Sequence, residues 1–96
     1  MAYVVAVVWK AKPGEEERVA QILPRVAEAA RTEEGCIEFT PHRSPTERGT
    51  FFLYEKYVDE AAFKAHTEME HFKQNVLGDA LPRLASRERT IYETLE

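Results

Sequence analysis

One cysteine, Cys36, is all the chain carries. That excludes an intrachain disulfide and a paired-cysteine redox motif, and it fits a reduced, cytoplasmic setting. Glycine is nearly as sparse, at four. None forms a dinucleotide fingerprint or a phosphate-binding loop. Flavin, nicotinamide and nucleotide therefore have no recognisable seat, and no cofactor is expected. No two histidines have the i and i+4 spacing of zinc proteases, and no cysteine pair supports a structural zinc, so no metal is expected either. Basic blocks are missing as well. The balance is 13 Lys+Arg against 17 Asp+Glu, a formal net charge of −4, which makes nucleic acid and anionic membranes unexpected partners. Long apolar runs are absent too. "MAYVVAVVWK" at the start is far short of the roughly 20 residues that span a bilayer. It also lacks the flanks of a signal peptide.

What is present suits one globular domain over residues 1–96, with 44% hydrophobic and 31% charged residues. The stretch 2–10, rich in valine, reads as a strand buried on both faces. Lys12-Pro13-Gly14 is a turn in which Gly14 takes positive φ. From Glu15 to Gly35, the spacing of Val19, Ile22, Leu23, Val26, Ala27 and Ala30 predicts an amphipathic helix. Pro24 should kink it and Gly35 should stop it. Strands are expected over 36–44 and 50–58, the latter aromatic on both faces. Asp59 should cap a helix over 60–68. A short helix follows around residues 71–78, then a loop or turn over 79–86, then a last strand in "RERTIYETLE".

The order is β-α-β-β-α-β, a ferredoxin-like split β-α-β with an antiparallel sheet, in the α+β class. Helices cover only one side of such a sheet. The other, expected to bear the Trp9 register and half of the 50–58 strand, needs a second cover. A homodimer with packed sheets supplies it.

"KPGEEERV", "EEGCIEFTPHRS" and "FFLYEKYVDEAAFKAHTEMEHF" together resemble the antibiotic biosynthesis monooxygenase family, which includes small cofactor-free quinol monooxygenases. The resemblance runs from about residue 3 to residue 95. It implies a dimeric α/β barrel and a cofactor-independent monooxygenase that oxidises a quinol- or anthrone-type aromatic with dioxygen. Two other functions are carried by the same fold: a non-catalytic small-molecule-binding or stress-response module, and a haem-binding or haem-degrading protein. The haem-degrading relatives carry an asparagine on the first strand and a tryptophan late in the third. Here the first strand has no asparagine, and Tyr57 stands at the tryptophan position; only His66 matches.

"AHTEMEHF" holds the candidate base. His66 follows Phe63 by three residues and shares its helix face. An imidazole titrating near 6.5 suits removal of a phenolic proton, and Glu70, four residues on, is placed to hold the ring. On one unbroken helix His71 would lie about 140° away from His66; a break between them would bring the two together. Trp9, Phe52, Tyr54, Phe63 and His71 are the expected substrate-binding residues. His42 falls on a polar strand face. Glu55, a carboxylate among aromatics, reads as structural, paired with Arg43, with Lys56 or across the dimer. Cys36 reads as a small buried hydrophobe.

Overall fold

A computed structural model describes all 96 residues. The elements are β1 (Tyr3–Ala11), α1 (Glu16–Ala30), β2 (Cys36–Arg43), β3 (Thr50–Tyr57), α2 (Glu60–Thr67), α3 (Glu70–Phe72) and β4 (Leu84–Glu93). Between α3 and β4 the chain winds on without a break. It forms a π-helical segment, Lys73–Ala80, then a 3-10 turn, Leu81–Arg83. The four strands form one antiparallel sheet in the order β2-β3-β1-β4, the ferredoxin-like arrangement.

The α1 pattern is realised in full: Val19, Ile22, Leu23, Val26, Ala27 and Ala30 are all buried. Fully burying an aliphatic side chain contributes about 1.5–3 kcal/mol, so this face holds the helix without a side-chain N-cap. Pro24 sits inside α1 without ending it. The Arg31 guanidinium donates twice to the Phe39 carbonyl, at 2.7 and 3.1 Å, and ties the helix end to β2. Gly14 has φ +89°, as the turn requires. Asp59 caps α2 by accepting from the Ala62 N–H at 2.8 Å. Asp59→Ala is expected to cost about 1 kcal/mol in chemical denaturation.

Gly35 has a different role from the expected helix stop. Its φ is not positive, and α1 has already ended at Ala30. A Cβ on Gly35 would lie 2.5 Å from the Ala62 Cβ. Glycine is needed there because α2 crosses closely over the turn after α1. Gly35→Ala should cost about 1–3 kcal/mol through overpacking. Ala62→Gly added to it should restore part of the loss, a coupling that a double-mutant cycle on urea melts would read.

The sheet has one covered face and one open face. Strand pairing aligns Trp9 with Phe51, Val7 with Leu53, and Val5 with Glu55. All six are buried beneath the helices. Trp9, only 4% exposed, thus lies on the helix-covered face and not, as its sequence suggested, on the other. Nearly every β1 position is apolar, so alternation could not assign the faces. The open face carries Val4, Ala6, Val8, Phe52, Tyr54 and Lys56. No helix is long and apolar enough to cross a membrane.

Candidate functional site

A cavity of about 270 Å³ opens between the sheet and the helical layer. Val7 and Trp9 of β1 and Glu55 of β3 form its floor. Phe63 and Thr67 of α2, Phe72 of α3 and Val76 of the π-helical segment form its wall. The rim is β4: Arg87, Glu88 and Arg89. π-helical geometry is rare and is found often at functional sites; here it shapes part of that wall.

Glu55 is the one carboxylate on the floor. It is 5% exposed and set between its cross-strand partners Val5 and Phe39, both buried. The Tyr57 hydroxyl donates to it at 2.7 Å. Burial pushes the Glu55 carboxyl up to about 7, although the Tyr57 hydrogen bond and the charge of Arg89 oppose the rise. Near neutral pH the group is poised between acid and base, the condition under which general base catalysis works best. Burial and the Glu55 charge drive the Tyr57 phenol well above the usual tyrosine range, so it stays a donor. The expected partners of Glu55 have other roles: Arg43 binds Glu17, and neither it nor Lys56 reaches Glu55.

Behind the cavity wall lies a second polar group. His66 is 2% exposed, and its Nδ1 is 2.8 Å from Glu33 Oε2. The expected holder, Glu70, is displaced, because α2 ends at Thr67 and Met69 is extended (φ −68°, ψ 145°) before α3 begins. That break turns His71 back toward His66. Its Nε2 also lies 2.8 Å from Glu33 Oε2. This second contact is close but off the hydrogen-bond direction, and both His71 ring nitrogens are buried without a hydrogen-bond partner. Burial lowers the His66 pKa from its ordinary value, with Glu33 opposing. His66 is therefore neutral at pH 7, and Glu33 selects the tautomer with the proton on Nδ1. No group of three or more His, Cys, Asp or Glu side chains is arranged to hold a metal ion.

Of the sequence-predicted site residues, Trp9 and Phe63 line the cavity. His66 does not; it packs behind Phe63 and Phe72, with ring centroids 6.4 and 5.2 Å away. His71 is beside Glu33, outside the lining. Phe52 and Tyr54 fall on the open face of the sheet, where Phe52 packs on His42. Cys36 is half-buried rather than buried. Its thiol is pushed up to about 11 by burial and by the charges of Glu33 and Glu55, so it is a poor nucleophile. Sequence reasoning missed Glu33, Arg87 and Arg89 and gave Glu55 no part in the site. The visible signal for Glu55 was a carboxylate in an apolar strand register. Glu33 had only its place in "EEGC". Arg87 and Arg89 alternate on β4, a pattern that gains meaning once β4 pairs with β1.

Residues 1–76 match the family model described as antibiotic biosynthesis monooxygenase. The protein YcnE of Bacillus subtilis, named as a candidate monooxygenase, is 34% identical over 64 residues, 67% of each chain. A solved structure from Nitrosomonas europaea, described as a candidate antibiotic biosynthesis monooxygenase, is 26% identical with a TM-score of 0.86. The match covers 98% of this chain and 90% of that one. PA3566 of Pseudomonas aeruginosa, 22% identical, shares the fold at a TM-score of 0.90, over 99% of this chain and 95% of that one. With the family pattern on its first 76 residues and the family fold along nearly its whole length, the chain belongs to the antibiotic biosynthesis monooxygenase family.

Proposed function

We propose that the protein is a monooxygenase in which a quinol-type aromatic supplies the electrons and Glu55 receives the phenolic proton. The observation that carries this reading is a buried carboxylate, ionising near neutral pH, in the floor of an aromatic-walled cavity. Trp9, Phe63 and Phe72 offer faces and edges to a flat ring. Glu55 removes the proton of a ring hydroxyl. The electron-rich anion reduces dioxygen, a carbon–oxygen bond forms, and the resulting hydroperoxide breaks its oxygen–oxygen bond. One oxygen stays in the product quinone and the other leaves as water. Four electrons leave the quinol and four reduce dioxygen, so no other reductant is consumed.

Pockets for drug-sized ligands run from about 300 to 1,000 Å³. A cavity of about 270 Å³ favours a one- or two-ring quinol over a three-ring anthrone, and it is small for a haem macrocycle. His66 acts as a positioning residue in this account. Held by Glu33, it backs Phe63 and Phe72 and so sets the ring-binding wall. The test is oxygen uptake with one-, two- and three-ring substrates, corrected for autoxidation. The two-ring quinol should be consumed fastest. His66→Ala should lower kcat/KM by about tenfold, mainly through KM. Complete loss in His66→Ala with activity retained in Glu55→Gln would make His66 the base. No uptake by any ring, with ligand binding intact, would leave a binding module.

The open face of the sheet carries Val4, Val8, Phe52 and Tyr54, and a second copy of the chain is the proposed cover. Light scattering should give twice the 11.1 kDa chain mass. Phe52→Glu, a charge placed on that face, should shift the protein to monomer; a monomer already in the wild type would refute the dimer.

A further inference from the structure

The rim of the cavity carries two arginines for which the reaction itself has no use. Trp9 pairs across the sheet with Arg87 and Val7 with Arg89, so both arginines project on the cavity side of β4. Residues two apart on a strand stand side by side on one face. The Arg89 guanidinium lies 5.3 Å from the centre of the Phe63 ring, which anchors it over the cavity wall, and its charge is felt at Glu55. Elsewhere Arg18, Arg43 and Arg83 are each bound to a carboxylate. Arg87 and Arg89 take part in none of the ion pairs. The rim residue between them, Glu88, pairs with Val8 and belongs to the opposite face.

We infer that the substrate is an aromatic carboxylate, its acid group held by Arg87 and Arg89 while its ring hydroxyl reaches Glu55. This rests on the ring-oxidising reading of the cavity and adds the substrate's charge to it. β1 lies between β3 and β4, so the two ends of the site are two strand spacings apart, roughly 10 Å. That span suits one or two fused rings with the hydroxyl and the carboxylate at opposite ends. The guanidinium fork matches a carboxylate in two parallel hydrogen bonds. Glu55 is the one carboxylate on the cavity floor, and the charge of Arg89 acts on it.

The test is calorimetric titration of the wild-type protein with 2-naphthoate and with 2-naphthamide, a neutral compound of nearly the same shape. The carboxylate should bind at least about tenfold tighter. The difference should vanish in R87Q/R89Q, with naphthamide affinity little changed. It should also shrink in the wild type at high salt, a readout that needs no variant. Equal affinities in the wild type, or a preference that survives R87Q/R89Q, would overturn the inference. Oxygen uptake with neutral quinols would still stand in that case. Failure of both compounds to bind, together with no oxygen uptake, would remove the ring-oxidising reading as well.

Discussion

Glu55→Gln is expected to make the protein more stable at pH 8 while removing its activity. In the unfolded chain Glu55 loses its proton near the ordinary 4.5, but in the fold it holds the proton up to about 7. The stability tied to that proton is complete below pH 4.5 and is lost as pH rises through 7. The loss amounts to about 3 kcal/mol. Glutamine still accepts from Tyr57 and has no charge to bury, so the variant escapes the loss. For a chain of this size about 1 kcal/mol moves Tm by roughly 4–8 °C. Thermal melts should therefore show a gain of about 10 °C or more at pH 8, fading toward pH 4.5. The rate of oxygen consumption should fall about 10²- to 10⁴-fold, the range of a lost general base. His66 works in the opposite direction. Its lowered pKa gives stability that is present above its ordinary 6.5 and is lost as pH falls through the lowered value. That His66 contribution should be lost on acidification equally in wild type and variant, so it does not alter the difference between them.

Glu33→Ala is expected to cost about 2–3 kcal/mol, measured by urea denaturation. Hydrogen bonds to a charged group contribute about 1.5–3 kcal/mol. This one holds an imidazole that is 2% exposed and packed among Phe39, Tyr57, Phe63 and Phe72. His71→Ala should cost less, because His71 is 26% exposed and only brushes Glu33. The double variant Glu33→Ala/His66→Phe should lose less than the two single costs added, since no buried nitrogen is left without a partner. A Glu33→Ala protein within about 0.5 kcal/mol of wild type would show that the acid–imidazole cluster does not hold the wall. In kinetics the same change should raise KM more than it lowers kcat, because Phe63 and Phe72 lose their backing.

How much of this could be read from sequence depended on the range of the signal. The α1 periodicity, the Gly14 turn and the Asp59 cap are local, and each is met in the fold. Trp9 could not be assigned a face because β1 is apolar on both, and only the pairing with Phe51 settles it. The link between His66 and His71 depended on a helix break at Met69 that no proline or glycine marks. Glu33, which both rings approach, lies 33 residues from His66, beyond the reach of any helical or strand period. Gly35 looked like a helix stop and is instead a close-packing position under Ala62. Glu55 was visible as a charge in an apolar strand. Its raised ionisation comes from burial, and Val5 and Phe39 flank it on the neighbouring strands. The rim arginines needed the β1–β4 pairing to point at the cavity.

The central claim is that Glu55 is the proton acceptor in the cavity. The pH dependence of kcat/KM for oxygen consumption with a two-ring quinol, in wild type and Glu55→Gln, tests it most directly. Wild-type activity should rise with pH through a single ionisation near 7, and the variant should lose both the rate and that ionisation. Activity that survives in Glu55→Gln with the same pH profile would contradict it.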